Sequence, residues 1–149
     1  DLVKQKLDIA AAYQGIEAVN ITEQSLTQQV SDLTDGWGAN IVFEASGSAQ
    51  AYNNIIDLAC PAGCLVFVGM PAENVAIDIV AMQAKELRFE SVFRYANQFP
   101  RALALMASGK LDLKPLISDI YPISQGIEAF ERASRAEPQD VKIQICFDE

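Results

Sequence analysis

Apolar positions along this chain follow two rhythms, one of helical spacing and one of short unbroken runs, and the two alternate. Val3, Leu7, Ala10 and Ala11 share one helical face, with Lys4, Gln5 and Asp8 turned outward and Gly15 as a left-handed stop. Glu17-Ala18-Val19 is long enough only for a minor strand. Ser25 and Gln28 have the spacing of a capping box, which opens a helix with Leu26, Val30 and Leu33 inward. Asp35-Gly36-Trp37-Gly38 breaks that helix, and the run Asn40 to Ala45 reads as a buried strand ending at Ser46-Gly47. A third helix carries Ala51, Ile55, Leu58 and Ala59 on one stripe and stops at Pro61-Ala62-Gly63. Cys64 to Gly69 is nearly all apolar, as strands covered on both faces are.

The stretch Leu87 to Phe93 alternates more and carries charge, which suits an edge strand or a subunit contact. Pro100 to Ser108 predicts a fourth helix with Ala102, Leu103 and Met106 inward, closed by Gly109. Leu116 to Tyr121 is a further strand, Ser124 a helix cap ahead of Ile127 and Phe130, and Val141 to Cys146 an alternating, half-buried strand. Helix and strand alternating at this pace predict an α/β protein with a parallel sheet flanked by helices. The pattern changes character beyond Lys114-Pro115, so the expected division is residues 1–114 and residues 115–149.

Composition narrows the function. The 149 residues are 50% apolar, enough to bury a core. Eleven basic against 20 acidic residues give a net charge of −9, which repels nucleic acid and anionic membranes. No apolar run is long enough to span a bilayer, and there is no signal-peptide pattern. The chain contains no histidine, which excludes Ser-His-Asp and Cys-His catalysis by its own residues. Cys60, Cys64 and Cys146 lack paired Cys-x-x-Cys spacing, which argues against a structural zinc site or a disulfide framework and suits a reducing cytosol.

The candidate chemistry lies at Val92-Phe93-Arg94-Tyr95, where a strand gives way to a helix. Open α/β sheets bind ligands at the carboxyl ends of their strands, and the arginine fork grips phosphate, carboxylate or hydroxyl groups there. The plain alternative is a solvated arginine beside a tyrosine packed on the core. Gly36-Trp37-Gly38 follows a helix and precedes a strand, the reverse of a pyrophosphate cradle, and is explained by turn chemistry. No other glycine fingerprint is present. In dinucleotide folds an acidic residue ending the second strand bonds the adenosine ribose, a role open to Asp1. A chain opening at that acid is expected to lack the first strand, the glycine turn and the first helix. Cys60 and Cys64 read as small core residues, and Glu44 as a carboxylate tied up in a turn or backbone hydrogen bond.

Asp1-Leu2 with Lys6, Phe43-Glu44-Ala45-Ser46-Gly47, Val66-Phe67-Val68-Gly69-Met70, Val92-Phe93-Arg94-Tyr95 and Tyr121-Pro122-Ile123 before Ala129-Phe130 together carry a family likeness. From Asp1 to about Phe147 the chain resembles the C-terminal half of zinc-dependent medium-chain dehydrogenases, in their sorbitol/xylitol (polyol) branch. The first three anchors are common to the superfamily, whereas the Phe-Arg-Tyr-x-Asn run is particular to polyol dehydrogenases. The resemblance implies a Rossmann-type, doubly wound parallel sheet lacking its first βα unit, then a C-terminal segment of the GroES-like catalytic domain. It implies NAD as cofactor, with Asp1 and Lys6 at the adenosine ribose. Val68, Gly69, Met70, Val92 and Phe93 would line the nicotinamide side. Arg94 and Tyr95 would bond the hydroxyls of a small polyol, Arg94 reaching the cofactor as well. The zinc ligands, Cys, His and Glu in this family, would lie outside this chain, which is therefore expected to be inactive by itself.

The resemblance also implies a homo-oligomer, dimer or tetramer, paired near Leu87 to Phe93. Two other readings stay open from the sequence. One is a non-catalytic nucleotide-binding or assembly module. The other is a related dehydrogenase of threonine or simple alcohols, although Arg94 and Tyr95 argue against the simple alcohols.

Overall fold

The most apolar run in the sequence is the middle strand of a three-stranded parallel sheet. The computed structural model describes residues 1–147. Two compact units emerge, residues 23–96 and residues 1–22 with 97–149. The expected division at Pro115 falls inside the second of these.

Helix α1 (Lys4–Ala11) belongs to the second unit. In the unit of residues 23–96, helix α2 (Leu26–Leu33) leads to β1 (Ala39–Glu44). A 3-10 turn (Ala49–Tyr52) and a single helical turn, α3 (Ile55–Leu58), run directly into β2 (Ala59–Phe67). Helix α4 (Ile79–Ala84) and β3 (Arg88–Ser91) complete it. Strand order is β1-β2-β3, all parallel. The capping box at Ser25 forms only in part. Ser25 Oγ accepts from the Gln28 N–H at 3.3 Å, but the Gln28 side chain turns to Asp32 instead of back to the cap.

The core of this unit joins Tyr52, Ile55, Ile56, Ala59, Leu65, Phe67 and Met82. Tyr52, Phe67 and Phe89 stack in sequence, with ring centroids 5.2 and 4.3 Å apart. Lys85 Nζ donates to the carbonyls of Ile56 and Ala59, both at 2.9 Å, and so satisfies the open end of α3.

Several expectations change. Pro61-Ala62-Gly63 does not stop a helix; it lies inside β2 as a bulge, where the register jumps from Ala39↔Ala59 to Ile41↔Cys64. A bulge tolerates the proline's missing N–H, and Ala62 takes a φ of 58°. β1 is not buried on both faces: Ile41 and Phe43, two residues apart and so on one face of the sheet, are exposed, while Glu44 on the other face is buried. The third strand is shorter than the run Leu87 to Phe93.

The other unit contains, besides α1, helix α5 (Phe99–Ala107), β4 (Ile117–Pro122), α6 (Gly126–Arg135) and β5 (Lys142–Cys146). β4 and β5 form a two-stranded parallel sheet. Glu17-Ala18-Val19 forms no strand, although the Val19 carbonyl accepts from the Asp1 amino group at 3.1 Å. Leu103 and Met106 of α5 are exposed rather than inward. Ser124 lies in a 3-10 turn and caps nothing; Gln125 takes the cap position, and Ile127 and Phe130 point outward while Ala129 is buried.

Arg132 ties this layer together. Its guanidinium meets Asp140 through two bonds of 2.8 and 2.9 Å, Asp119 at 2.5 Å and the Tyr121 hydroxyl at 3.2 Å. The hydrogen bonds to Asp140 foremost, then to Tyr121 and Asp119, outweigh desolvation and raise the arginine's already high pKa further. The two Arg132 bonds to Asp140, with the charge of the guanidinium, outweigh the desolvation of Asp140 and hold its carboxyl below the usual carboxylate range.

Candidate functional site

The three strands of the larger sheet end level. Glu44 is in register with Phe67, and Phe67 with Ser91. The chain then leaves each strand at its carboxyl end, so residues 45–47, 68–70 and 92–95 share one rim. Val68, Gly69, Met70, Val92, Phe93, Arg94 and Tyr95 all lie on it, within residues 23–96. Asp1 and Lys6 belong to the other unit.

Backbone bonds stitch the rim together. The N–H groups of Val68 and Gly69 both donate to the Glu44 carbonyl, at 2.8 and 2.9 Å, and Val92 N–H donates to the Phe67 carbonyl at 2.8 Å. Val68, Met70, Val92, Phe93 and Tyr95 are exposed, giving the rim an apolar surface. The Arg94 guanidinium carbon stands 5.2 Å from the centre of the Phe93 ring, a cation over an aromatic face.

Beneath the rim lies a buried carboxylate. Glu44 is 4% exposed and is the one buried charged residue among those described. It accepts from the Ser46 N–H at 2.8 Å, the Ser46 hydroxyl at 2.5 Å and the Gly47 N–H at 3.1 Å. The Tyr52 hydroxyl lies 3.3 Å from Glu44 Oε2 and 3.2 Å from the Gly69 carbonyl, one proton shared between two acceptors. Burial works to raise the Glu44 pKa, but the donors of Ser46, Gly47 and Tyr52 outweigh it and leave the carboxyl lowered and ionised. Tyr52 is raised by burial, then by the charge of Glu44 and its hydrogen bond. The sequence reading of Glu44 as a carboxylate tied up in a turn matches this geometry. That reading does not reach Ser46, Gly47 and Tyr52 as its partners. The available signal is an acid closing an apolar strand with Ser-Gly shortly after it.

Glycine is required on this rim for two different reasons. A Cβ on Gly69 would stand 2.2 Å from the Gly47 nitrogen and 2.4 Å from Glu44 Oε2. Gly47 takes a φ of +67°, and a Cβ there would meet the Met70 carbonyl oxygen at 2.7 Å.

In the other unit, Asp1 Oδ1 accepts from the N–H groups of Leu2 and Val3 at 2.6 and 2.9 Å, and Oδ2 has no hydrogen bond among the described residues. Lys6 is half-buried and lines a groove of about 360 Å³ with Arg132, Ala136, Glu137 and Asp140.

Metal-binding capacity is a separate question. Among the described residues no group of three or more His, Cys, Asp or Glu side chains could hold a metal ion. Cys60 and Cys64 are buried in β2 as core residues, and Cys60 Sγ lies 3.3 Å from Asn40 Oδ1. These residues do not fit a zinc site. No described helix is long and apolar enough to cross a membrane.

Parallel strands with a level, ligand-accessible rim at their carboxyl ends define a Rossmann-type α/β fold. The chain belongs to the zinc-binding dehydrogenase family, whose pattern it matches over residues 1–108. It is 57% identical over 147 residues to a putative D-xylulose reductase of Agrobacterium fabrum, covering 99% of this chain and 42% of that protein. With the D-xylulose reductase of Morganella morganii it shares 45% identity over 139 residues, 93% of this chain and 40% of the relative. Among solved structures it superimposes with a TM-score of 0.88 and 27% identity on an Escherichia coli oxidoreductase/dehydrogenase of unknown specificity, covering 98% of this chain and 42% of that one. The chain thus spans about two fifths of the length of these relatives.

Proposed function

We propose that this chain is the coenzyme-binding part of an NAD-dependent, zinc-containing polyol dehydrogenase that oxidises a xylitol- or sorbitol-like polyol to the ketose. One observation carries the reading. On the rim that bears Arg94, the Val68 carbonyl and the N–H groups of Met70 and Phe93 have no hydrogen-bond partner among the described residues. An open acceptor and open donors on an apolar rim match a flat ring bearing a primary amide, as nicotinamide does. NAD held on this rim would supply the hydride acceptor for the carbinol carbon. Val68, Met70, Val92 and Phe93 hold the ring and exclude water from its face. Arg94 and Tyr95 orient the polyol through hydroxyls away from the reacting carbon. Asp1 and Lys6 take the adenosine ribose, and the Asp1 carboxylate disfavours a 2′-phosphate, which selects NAD over NADP.

The zinc ligands belong to a part of the protein other than these residues, and this chain alone is inactive. Residues 1–114 are assigned to the coenzyme domain and residues 115–149 to a segment of the catalytic domain. The outer strand β3, with all four residues exposed, pairs a homo-oligomer.

The test is Arg94→Ala in the full-length enzyme. Loss of charge-assisted bonds to hydroxyls raises the KM for xylitol about tenfold while a simple secondary alcohol is turned over much as before. An equal loss on both substrates removes Arg94 from polyol recognition. A wild-type enzyme that does not reduce NAD with any polyol refutes the whole assignment.

A further inference from the structure

Glu44 is a buried carboxylate that the proposed reaction does not use, and it is tied to the segment expected to face the coenzyme. Its main-chain carbonyl takes the N–H groups of Val68 and Gly69. Its side chain gathers Ser46 and Gly47, and Tyr52 bridges from the carboxylate to the Gly69 carbonyl. Of the backbone groups from the Val68 N–H to the Gly69 carbonyl, all but the Val68 carbonyl are therefore occupied. What stays open is the Val68 carbonyl and the Met70 N–H. Close approach enforces the arrangement, since a Cβ on Gly69 would overlap both Gly47 and Glu44 Oε2.

We propose that Glu44, acting with Tyr52, is a positioning pair that fixes the peptide planes of residues 68–70, so that the Val68 carbonyl and Met70 N–H are presented to the coenzyme's amide. The inference rests on the reading of this rim as the NAD site. Glu44 takes no chemical step in it, because its carboxylate is buried and bonded to Ser46, Gly47 and Tyr52. A carboxylate suits the task because it accepts from several donors at once. An amide at the same place would turn its own N–H groups toward those of Ser46 or Gly47. Tyr52 suits it because its ring is anchored by stacking on Phe67, at 5.2 Å, so the hydroxyl is held where the two loops meet.

The full-length enzyme carrying Glu44→Gln and, separately, Tyr52→Phe tests the pair, with NADH as the probe followed by its fluorescence on binding. Glu44→Gln is expected to weaken NADH binding about tenfold, and Tyr52→Phe, which keeps the stacked ring, about fivefold. In both, the KM for NAD rises in step, while the KM for the polyol at saturating NAD changes less than about twofold. A purely structural role would lower the melting temperature and leave this split absent. If Glu44→Gln does not fold, Tyr52→Phe alone decides. Wild-type binding of NADH with Tyr52→Phe inside about twofold of it overturns the positioning role and spares the NAD reading. A wild-type enzyme that does not bind NADH overturns both.

Discussion

Replacing Gly69 by alanine tests the packing of the rim without reference to any activity. The backbone of Gly69 lies outside the positive-φ region, so torsional preference alone would make the change harmless. Space decides instead. The new Cβ would stand 2.2 Å from the Gly47 nitrogen and 2.4 Å from Glu44 Oε2, where ordinary contact begins near 3.4 Å. The two strand-end loops must part by more than about 1 Å, enough to break the Gly47 N–H bond to the carboxylate. Overpacking costs roughly 1–3 kcal/mol and a lost hydrogen bond to a charged group roughly 1.5–3. The stiffer unfolded chain returns about 0.4–1 kcal/mol, so the net loss is about 2–5 kcal/mol.

Gly36→Ala is the internal control, in the same unit. Gly36 has φ +80° and nothing within 4 Å of its Cβ position, so it loses only the torsional term, about 1 kcal/mol. Urea unfolding of the full-length protein, read as the shift in midpoint at unchanged slope, ranks the two. The expected order is Gly69→Ala well below Gly36→Ala and wild type. A Gly69→Ala midpoint at or above that of Gly36→Ala would refute the close approach of residues 44–47 to residue 69.

Two further outcomes follow from the burial and charge of other residues. Leu65, fully buried in β2, is the side chain around which the core of residues 23–96 packs. Leu65→Ala should cost about 2–5 kcal/mol in the same urea assay, where a loss under about 1 kcal/mol would contradict a close-packed centre. The Asp140 carboxyl is held below its ordinary value by Arg132, so its contribution is complete above about pH 4 and fades as pH falls through the lowered folded value. Asp140→Asn should flatten the loss of stability between neutral and acid pH, and an unchanged slope would remove the Arg132 bonds from that effect.

The sequence is most legible where one environment imposes one pattern. β2 lies between two strands, is buried along most of its length, and reads from Cys64 onward as unbroken apolar residues. Ile41-Val42-Phe43 of β1 is as apolar, yet Ile41 and Phe43 stand on an exposed face, and nothing in those three residues distinguishes the two situations. Local breakers mislead in the opposite direction. Pro61 and Gly63 look like the end of a helix, yet α3 is a single turn and the chain absorbs both residues in a bulge of the strand that follows. Helix α4 escapes the pattern because six residues give too little periodicity, although Asp78 marks its start by accepting from the Ala81 N–H at 2.9 Å. The outward Leu103 and Met106 show the limit of helical periodicity: it finds a stripe, not what covers it.

The candidate site divides along the same line. Arg94 and Tyr95 are legible as residue types at a strand end, because that position and a cation carry meaning without coordinates. The Glu44 clamp is not, because its members are brought together by register. Glu44 meets Phe67 and then Gly69 only because β1 and β2 pair in the register that the bulge at residues 61–63 sets. Removing one residue from that bulge, with Ala59 still opposite Ala39, would bring Met70 to the place that Gly69 now holds. Its Cβ would then meet the contacts of 2.2 and 2.4 Å that glycine avoids. Gly69 is thus specified by strand pairing as much as by any ligand. A glycine at that position is evidence for the coenzyme reading only together with the Val68 carbonyl and Met70 N–H that the clamp leaves open.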